Sequence, residues 1–388
     1  MAGPMAGVKV VELGVWVAGP AAGGILADWG ADVIKIEPPD GDPARMFGRM
    51  LGIEDGTSPP FEMDNRGKRS VVLDLATDDG RDTAFELLSG ADVFLTNIRP
   101  GALARIGLDF ETVAARNPRL VYGLITGYGQ TGPDAERAAY DVAAFWARAG
   151  LAHLLTRPGE TPPFQRGGMG DHTAGMTLAA AVCAALVART RTGKGQLVST
   201  SLYRQGAYTV SFDLNTFLMT GHSIAIGQRE TMGNPCMNNY TAADGRRFWI
   251  VGLQGSRHWP PLCRAVGRQD WLTDPRFDSA HARAANAVEL IAELDKIFAT
   301  KPLDAWAKVF AAEPEFFWSP VNSIEDVVAD EQFHAAGGVV YVPDADSSVP
   351  MVATPADFHG TPCQPRSAAP RLGEHTEEIL AELTPRGA

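Results

Sequence analysis

Short apolar runs rich in β-branched residues alternate with stretches of small residues in the first part of the chain. Residues 8–13 (VKVVEL) and 31–37 (ADVIKIE) are typical of buried strands, and residues 18–30 between them predict a helix that ends at a glycine. The phrase GADV at the second strand returns within residues 89–97, after a predicted helix over residues 80–88. Strands that alternate with helices in this way predict an α/β fold with a parallel sheet and right-handed crossovers.

The pattern continues beyond residue 100. Residues 120–129 and 192–202 predict two more strands, and residues 175–190 give the strongest helix prediction of the chain. A further helix is predicted over residues 369–383, after a proline-rich run.

A different pattern begins after about residue 208. Residues 241–253 predict a β-hairpin that turns at an Asp-Gly pair, and helical patterns follow over residues 259–266 and 285–298. These elements indicate a smaller α+β domain at roughly residues 225–330.

Composition narrows the function classes. The 388 residues carry 34 Lys and Arg against 46 Asp and Glu, a net charge of −12, so binding to nucleic acid or to an anionic membrane is not expected. No apolar run approaches ~20 residues and no secretory signal is apparent, so we expect a cytoplasmic protein without a membrane span. The four cysteines are far apart and no HExxH occurs, which argues against a disulfide framework and a metal site. The first strand is followed by no GxGxxG, which argues against a nicotinamide cofactor.

One carboxylate has an unusual setting. Asp171 is surrounded by Gly167, Gly168 and Gly170, directly before the long apolar helix. Its local sequence favours a helix N-cap, because an aspartate oxygen accepts free N–H groups of a first helical turn.

Phrases along nearly the whole chain resemble the class III CoA-transferases, whose fold is shared by the α-methylacyl-CoA racemases. They occur in the family's order: VVELGVWVAGP, WGADVIKIEPPDGD, NRGKRSVVLDL, TNIRPGALARIGLD, NPRLVYGLITGYGQTGP, YDVAAFWARAG, GDHTAGM, TGKGQLVSTSL and GEHTEEIL. The resemblance implies a Rossmann-like large domain with a parallel sheet built from both chain ends, residues 1–210 and 330–388. It also implies an interlocked homodimer.

The resemblance makes Asp171 the nucleophile. An acyl-CoA and a carboxylic acid acceptor would be the substrates, with no permanently bound cofactor, and aspartyl–acyl anhydride and aspartyl-CoA thioester intermediates are implied. The N-terminus of the helix would help to keep the carboxylate ionised. The glycine N–H groups are candidate oxyanion donors.

The resemblance also assigns a CoA pocket. Arg105 would meet phosphate charge, two aliphatic side chains would face adenine, and Tyr140 would close the pantetheine end. The positions are Val17, Leu73, Asn97, Ile98, Arg105 and Tyr140. Relatives often carry basic residues where this chain has Pro38, Ala76 and Ala138. Five basic residues could compensate: Arg45, Lys68, Arg69, Arg99 and Arg137.

Two other functions stay open. Racemases of this fold carry two bases, a His and a Glu, and this chain has Tyr140 and Asn238 at the corresponding positions. The pKa of a tyrosine is too high for an easy base, and an asparagine cannot take up the proton. The resemblance therefore favours CoA transfer over epimerisation. The missing basic residues leave a non-catalytic CoA-binding protein as the second alternative.

Several side chains suggest details of the site. The transferases for oxalate in the family that this chain resembles have a glycine-rich loop before the hairpin. Residues 232–240 hold only one glycine, so the resemblance does not imply a formyl or oxalyl substrate. The aromatic residues at 145–146 and 316–318, together with Trp16, indicate a bulkier apolar acyl group. The remaining candidates are expected to play no part in the chemistry: His172 is placed at the surface or at the helix cap, and Glu313 and Glu315 in a solvated loop.

Overall fold

The large sheet has six parallel strands. The computed structural model describes residues 3–54, 56–225 and 227–383. The strands are β1 (Lys9–Leu13), β2 (Asp32–Glu37), β3 (Arg69–Val72), β4 (Val93–Thr96), β5 (Val121–Thr126) and β6 (Leu197–Ser201). Their order is β3-β2-β1-β4-β5-β6, which is the doubly wound Rossmann arrangement. The predicted α/β fold with a parallel sheet is therefore confirmed.

Helices connect the strands and form much of the rest of the chain. They are α1 (Ala18–Asp28), α2 (Phe47–Met50), α3 (Pro59–Asn65), α4 (Asp78–Ser89), α5 (Pro100–Arg105), α6 (Phe110–Arg116), α7 (Leu151–Leu154), α8 (Met169–Thr192), α9 (Leu202–Thr209), α10 (Ser211–Thr220), α11 (Gly255–Ala265), α12 (Ala280–Ala285), α13 (Ala287–Phe298), α14 (Leu303–Ala311), α15 (Ile324–Ala329), α16 (Glu331–Ala335) and α17 (Thr376–Leu383). Short 3₁₀ segments cover Pro43–Met46, Arg229–Thr231 and Gln269–Leu272, and a π-helical segment covers Val142–Arg148.

Helices α1 and α8 pack closely on one another and share a core cluster with β1, β4 and β5. A Cβ added at Gly175 would lie 2.8 Å from the Cβ of Ala21, so this glycine permits the close approach. By length and composition alone α8 could cross a membrane. Its buried side chains, among them Leu178 and Val182, contact the sheet and α1, as in a core helix.

The sheet takes no strand from the C-terminal part of the chain, although both chain ends belong to the same compact unit. All six strands lie between Lys9 and Ser201. The C-terminal part instead covers the edge strand β3: the N–H of Val72 donates to Oγ1 of Thr376 at 3.2 Å, and Ile379 of α17 is fully buried. An uncovered edge strand leaves backbone groups unpaired, which explains this docking. A separate hairpin is formed by β10 (Val339–Asp344) and β11 (Ser347–Val352).

The chain divides into two compact units. The first comprises the residues up to Thr156, Pro162–Ile224 and the residues from His334 onward. The second comprises Arg157–Thr161 and Ala225–Phe333.

The second unit contains an antiparallel sheet in the order β7-β8-β9. Its strands are β7 (Met237–Thr241), β8 (Arg247–Val251) and β9 (Trp318–Pro320). Strands β7 and β8 form the predicted hairpin. Its core is largely aromatic, with Phe248 and Phe298 fully buried and their ring centroids 5.0 Å apart.

Candidate active site

Asp171 is the third residue of α8 rather than its N-cap. The helix begins at Met169, six residues earlier than predicted, and follows Gly168, whose φ is +75°. The predicted cap role of Asp171 is therefore wrong. The side chain is half-buried, and among the described residues no group hydrogen-bonds to its carboxylate or forms an ion pair with it.

A different aspartate supplies the cap. Oδ2 of Asp141 accepts the backbone N–H of Gly170 at 3.0 Å and that of Asp171 at 3.4 Å. Asp141 is buried, and it lies 30 residues before the helix turn that it holds. A carboxylate near free N–H groups of a first turn stabilises a helix, whichever part of the chain provides it. Local sequence could not reveal this partner.

Burial and the nearby negative charge of Asp141 raise the pKa of Asp171 to about 7, although the charge of His172 acts in the opposite direction. The pKa of Asp171 is therefore raised in spite of its position in the first turn of a helix. Near neutral pH both protonation states are populated, and the ionised form is the nucleophile. A raised pKa also means that the carboxylate is less stabilised in its charged form than it would be in water.

His172 lies in the first turn of α8, where its ring packs beside the N-cap residue Gly168, and its side chain is also held by a buried carboxylate. Its Nε2 lies 3.1 Å from Oδ1 of Asp64, which belongs to α3. The hydrogen bond to Asp64 raises the pKa of His172. Asp64 was not singled out from the sequence, because 108 residues separate the two side chains.

Three of the predicted CoA positions lie at the carboxyl ends of β1 and β4. Asn97 joins the loops after these strands, since its Oδ1 accepts the N–H of Val15 at 3.0 Å and its Nδ2 donates to the Val15 carbonyl at 2.8 Å. Val17 and Ile98 follow in the same two loops. The strand order reverses between β1 and β4, and ligands of doubly wound sheets bind in the crevice at such a point.

The other three predicted CoA positions differ in setting. Leu73 is buried in the core cluster on which Ile98 also packs, so a structural role accounts for it. Arg105 ends α5 and is exposed. Tyr140 is 65% exposed, and its ring lies edge-on to Trp16 with centroids 6.0 Å apart.

Most of the compensating basic side chains are already paired. Lys68 is fully buried, and its Nζ lies 2.7 Å from Oε2 of Glu12. Arg45 forms an ion pair with Glu37, and Arg69 forms one with Asp32. They are therefore poorly placed to replace the positive charges missing at three exposed positions, Pro38, Ala76 and Ala138. Exposed basic residues in the segments that follow β4 and β5 are Arg99, Arg105 and Arg137.

Two acidic side chains of the second unit form ion pairs. Glu313 pairs with Arg264 at 2.8 Å, and Glu315 pairs with Arg257. The buried amide of Asn238 donates to the carbonyl of Arg229 at 2.9 Å, so this racemase position holds a structural amide.

Three of the six aromatic residues expected at the site are core residues, whereas Phe317 is 46% exposed. Phe145, Trp146 and Phe316 are less than 8% exposed. The inference of a bulky acyl group therefore loses their support, whereas half-buried Trp16 keeps its place in the loop after β1. In the part of the chain that the structure describes, no group of three His, Cys, Asp or Glu side chains is placed to hold a metal ion.

Comparison with known proteins identifies the family. Residues 5–376 match the profile described as CoA-transferase family III. The chain is 32% identical to (R)-2-hydroxy-4-methylpentanoate CoA-transferase of Clostridioides difficile, covering 97% of this chain and 94% of that protein. It is 33% identical to cinnamoyl-CoA:phenyllactate CoA-transferase of Clostridium sporogenes, and the match covers 97% of this chain and 92% of that protein. The crystal structure of a CAIB/BAIF family protein from Brucella suis superposes with a TM-score of 0.87 at 33% identity, covering 99% of this chain and all of the other. The chain is therefore an enzyme of CoA-transferase family III.

Proposed function

We propose that this enzyme transfers CoA from an acyl-CoA to a carboxylic acid and that Asp171 is its nucleophile. The observation that carries the proposal is the setting of Asp171, whose carboxylate has no ion-pair or hydrogen-bond partner among the described residues while its backbone is fixed by Asp141. A nucleophile has to be held in place and yet remain free to attack, and this arrangement supports both.

The reaction proceeds through two kinds of covalent intermediate. The Asp171 carboxylate attacks the thioester carbonyl, the C–S bond breaks and CoA leaves as a thiolate. The thiolate then attacks the Asp171 carbonyl carbon and expels the acyl group as a carboxylate, which leaves an aspartyl-CoA thioester. An acceptor carboxylate runs the two steps in reverse, and no net proton is consumed.

The loop and helix around Asp171 support these steps. Three glycines precede Asp171, and one of them, Gly167, has open space where a side chain would be. The crevice at Val17, Asn97 and Ile98 would receive the pantetheine and nucleotide, with exposed Arg105 offering positive charge to phosphate. Anhydride carbonyls hydrolyse readily, so the loaded site has to exclude water.

Intact mass spectrometry tests the proposal. The native enzyme, mixed with a panel of acyl-CoAs, should gain an acyl or CoA adduct that hydroxylamine removes. Two relatives are named for 2-hydroxy-4-methylpentanoate and for cinnamoyl-CoA with phenyllactate, so the panel begins with these compounds and with short-chain acids.

A matched pair of variants locates the adduct. Asp171→Asn should form none. Asp213→Asn replaces the third residue of another helix, α10, and should behave like the native enzyme. An adduct of equal yield in Asp171→Asn would contradict the assignment.

A further inference from the structure

Trp16 has a backbone conformation that bulky residues rarely adopt. Its φ is +63°, and apart from Ala345 it is the one non-glycine residue with a positive φ among those described. This region is disfavoured for a large side chain, and such strain tends to persist at functional sites. A glycine would fit the turn without strain, so the presence of a tryptophan at this position suggests a role for its indole ring.

A buried set of charges holds the strained residue. Oδ1 of Asp42 accepts the N–H of Trp16 at 3.0 Å, and Oδ2 lies 2.9 Å from Nζ of Lys35. Lys35 in turn pairs with Glu12 at 3.0 Å and donates to the carbonyl of Gly14 at 2.9 Å. The side chains of these three charged residues are at most 1% exposed. The loop conformation is therefore fixed from within the protein.

The same aspartate places a second aromatic ring. Asp42 also caps the 3₁₀ turn Pro43–Met46 through the N–H of Ala44 at 2.9 Å, and Phe47 follows this turn. The rings of Phe47 and Trp16 have centroids 5.3 Å apart. Three side chains on the same segment (Met46, Met50 and Leu51) expose 47%, 71% and 64% of their surface. Exposed apolar side chains therefore lie on the same segment as Phe47, whose ring contacts Trp16.

This pair of rings is connected to the helix turn of Asp171 through two consecutive residues, Tyr140 and Asp141. Tyr140 contacts the Trp16 ring, and the next residue, Asp141, binds the backbone of Asp171. The acyl end of a bound thioester has to reach the Asp171 carboxylate, whereas the adenine lies at the far end of CoA. The rings of Phe47, Trp16 and Tyr140 therefore belong to the acyl end.

We infer that Trp16 and Phe47 form a flat apolar surface that binds the acyl group of the donor and selects aryl or branched acyl groups over short ones. The inference rests on the proposed CoA transfer at Asp171. The indole face supplies contact area that a short acyl chain cannot use, so only large groups gain from it.

The test measures kcat/KM for an arylacyl-CoA (cinnamoyl-CoA) and for acetyl-CoA in three variants. Trp16→Asn keeps a residue that tolerates this backbone conformation and removes the ring. We expect its kcat/KM for the aryl donor to fall about 30-fold or more and its value for acetyl-CoA to stay within about twofold. Trp16→Phe should retain much of the aryl activity, and Phe47→Ala should reproduce the selective loss. Trp249→Asn, which removes a 40% exposed indole from β8, is the control.

Stability and adduct formation complete the test. Release of backbone strain should offset the lost ring contacts, so Trp16→Asn should melt within about 3 °C of the native protein. The acetyl-CoA adduct at Asp171 should persist in this variant. An equal loss for both donors would mean that Trp16 contacts CoA itself and would overturn the inference, as would an unchanged ratio of the two values. If even the native enzyme forms no adduct with either donor, the proposed transfer fails, and the inference fails with it.

Discussion

Asp141 and Gly170 are joined by a hydrogen bond of 3.0 Å between the backbone N–H of the glycine and Oδ2 of the aspartate. The bond fixes the helix turn that carries Asp171, and it places a second negative charge beside the nucleophile. One side chain thus has two opposing effects, since it orders the turn and also raises the pKa of Asp171.

Two substitutions at Asp141 separate these effects. Asp141→Asn keeps an oxygen that can accept the Gly170 N–H but loses the charge, so the pKa of Asp171 should fall. The acid limb of a plot of adduct-formation rate against pH should then move to lower pH. Asp141→Ala loses the cap as well and should lower the free energy of unfolding by about 1 kcal/mol, measured by urea denaturation. An unmoved acid limb in Asp141→Asn would show that the charge does not act on the nucleophile.

Gly170 should tolerate no side chain. A Cβ at this position would lie 2.2 Å from Oδ1 of Asp141 and 2.3 Å from the ring of Phe145, both buried. Gly170→Ala should therefore cost about 1–3 kcal/mol of stability and lower the rate of adduct formation at Asp171, because the helix turn has to shift. Gly360→Ala is the control, as nothing lies within 4 Å of its added Cβ. Equal urea midpoints for the two variants would contradict the packing described.

The sequence predicted the large sheet well because its signals are local. Apolar runs such as residues 8–13 and 31–37 lie on β1 and β2, which the structure places side by side in parallel. The predicted helix at residues 175–190 was real but began too late, since its first turn is stabilised by Asp141 from a distant segment.

The candidate site was predicted less completely for the same physical reason. The glycines around Asp171 are visible in sequence, whereas its ionisation depends on burial and on charges brought in by folding. The contact of His172 with Asp64 and the docking of the C-terminal segment on β3 are likewise long-range. Pairings over such distances leave no periodic pattern to read.

His172 should act on the pH dependence in the direction opposite to Asp141. Its positive charge lowers the pKa of Asp171, while Asp141 and Asp64 raise it. His172→Asn removes that charge and leaves buried Asp64 without its partner, so the acid limb should move to higher pH. At pH 6 adduct formation should be about threefold slower or more than in the native enzyme, and at pH 9 it should be nearly equal. Exposed His153→Asn is the control, and an equal slowing at both pH values would indicate a purely structural role.

Asp171 should also cost the protein stability at alkaline pH. Its pKa rises from 3.8 to about 7 on folding, so between these values the folded state binds more protons than the unfolded state. The contribution of Asp171 to the free energy of unfolding is therefore most favourable below about pH 4, and it is lost as the pH rises through 7. Asp171→Asn cannot ionise and should exceed the native protein in free energy of unfolding at pH 8 by about 2 kcal/mol, since partial exposure screens some of the effect. The gain should vanish near pH 4.

Urea denaturation at pH 4 and pH 8 measures this gain in the free energy of unfolding, and Asp213→Asn shows how much of it comes from replacing any aspartate in a first helical turn. A variant less stable than the native protein at pH 8 would mean that the ionised carboxylate has a stabilising partner.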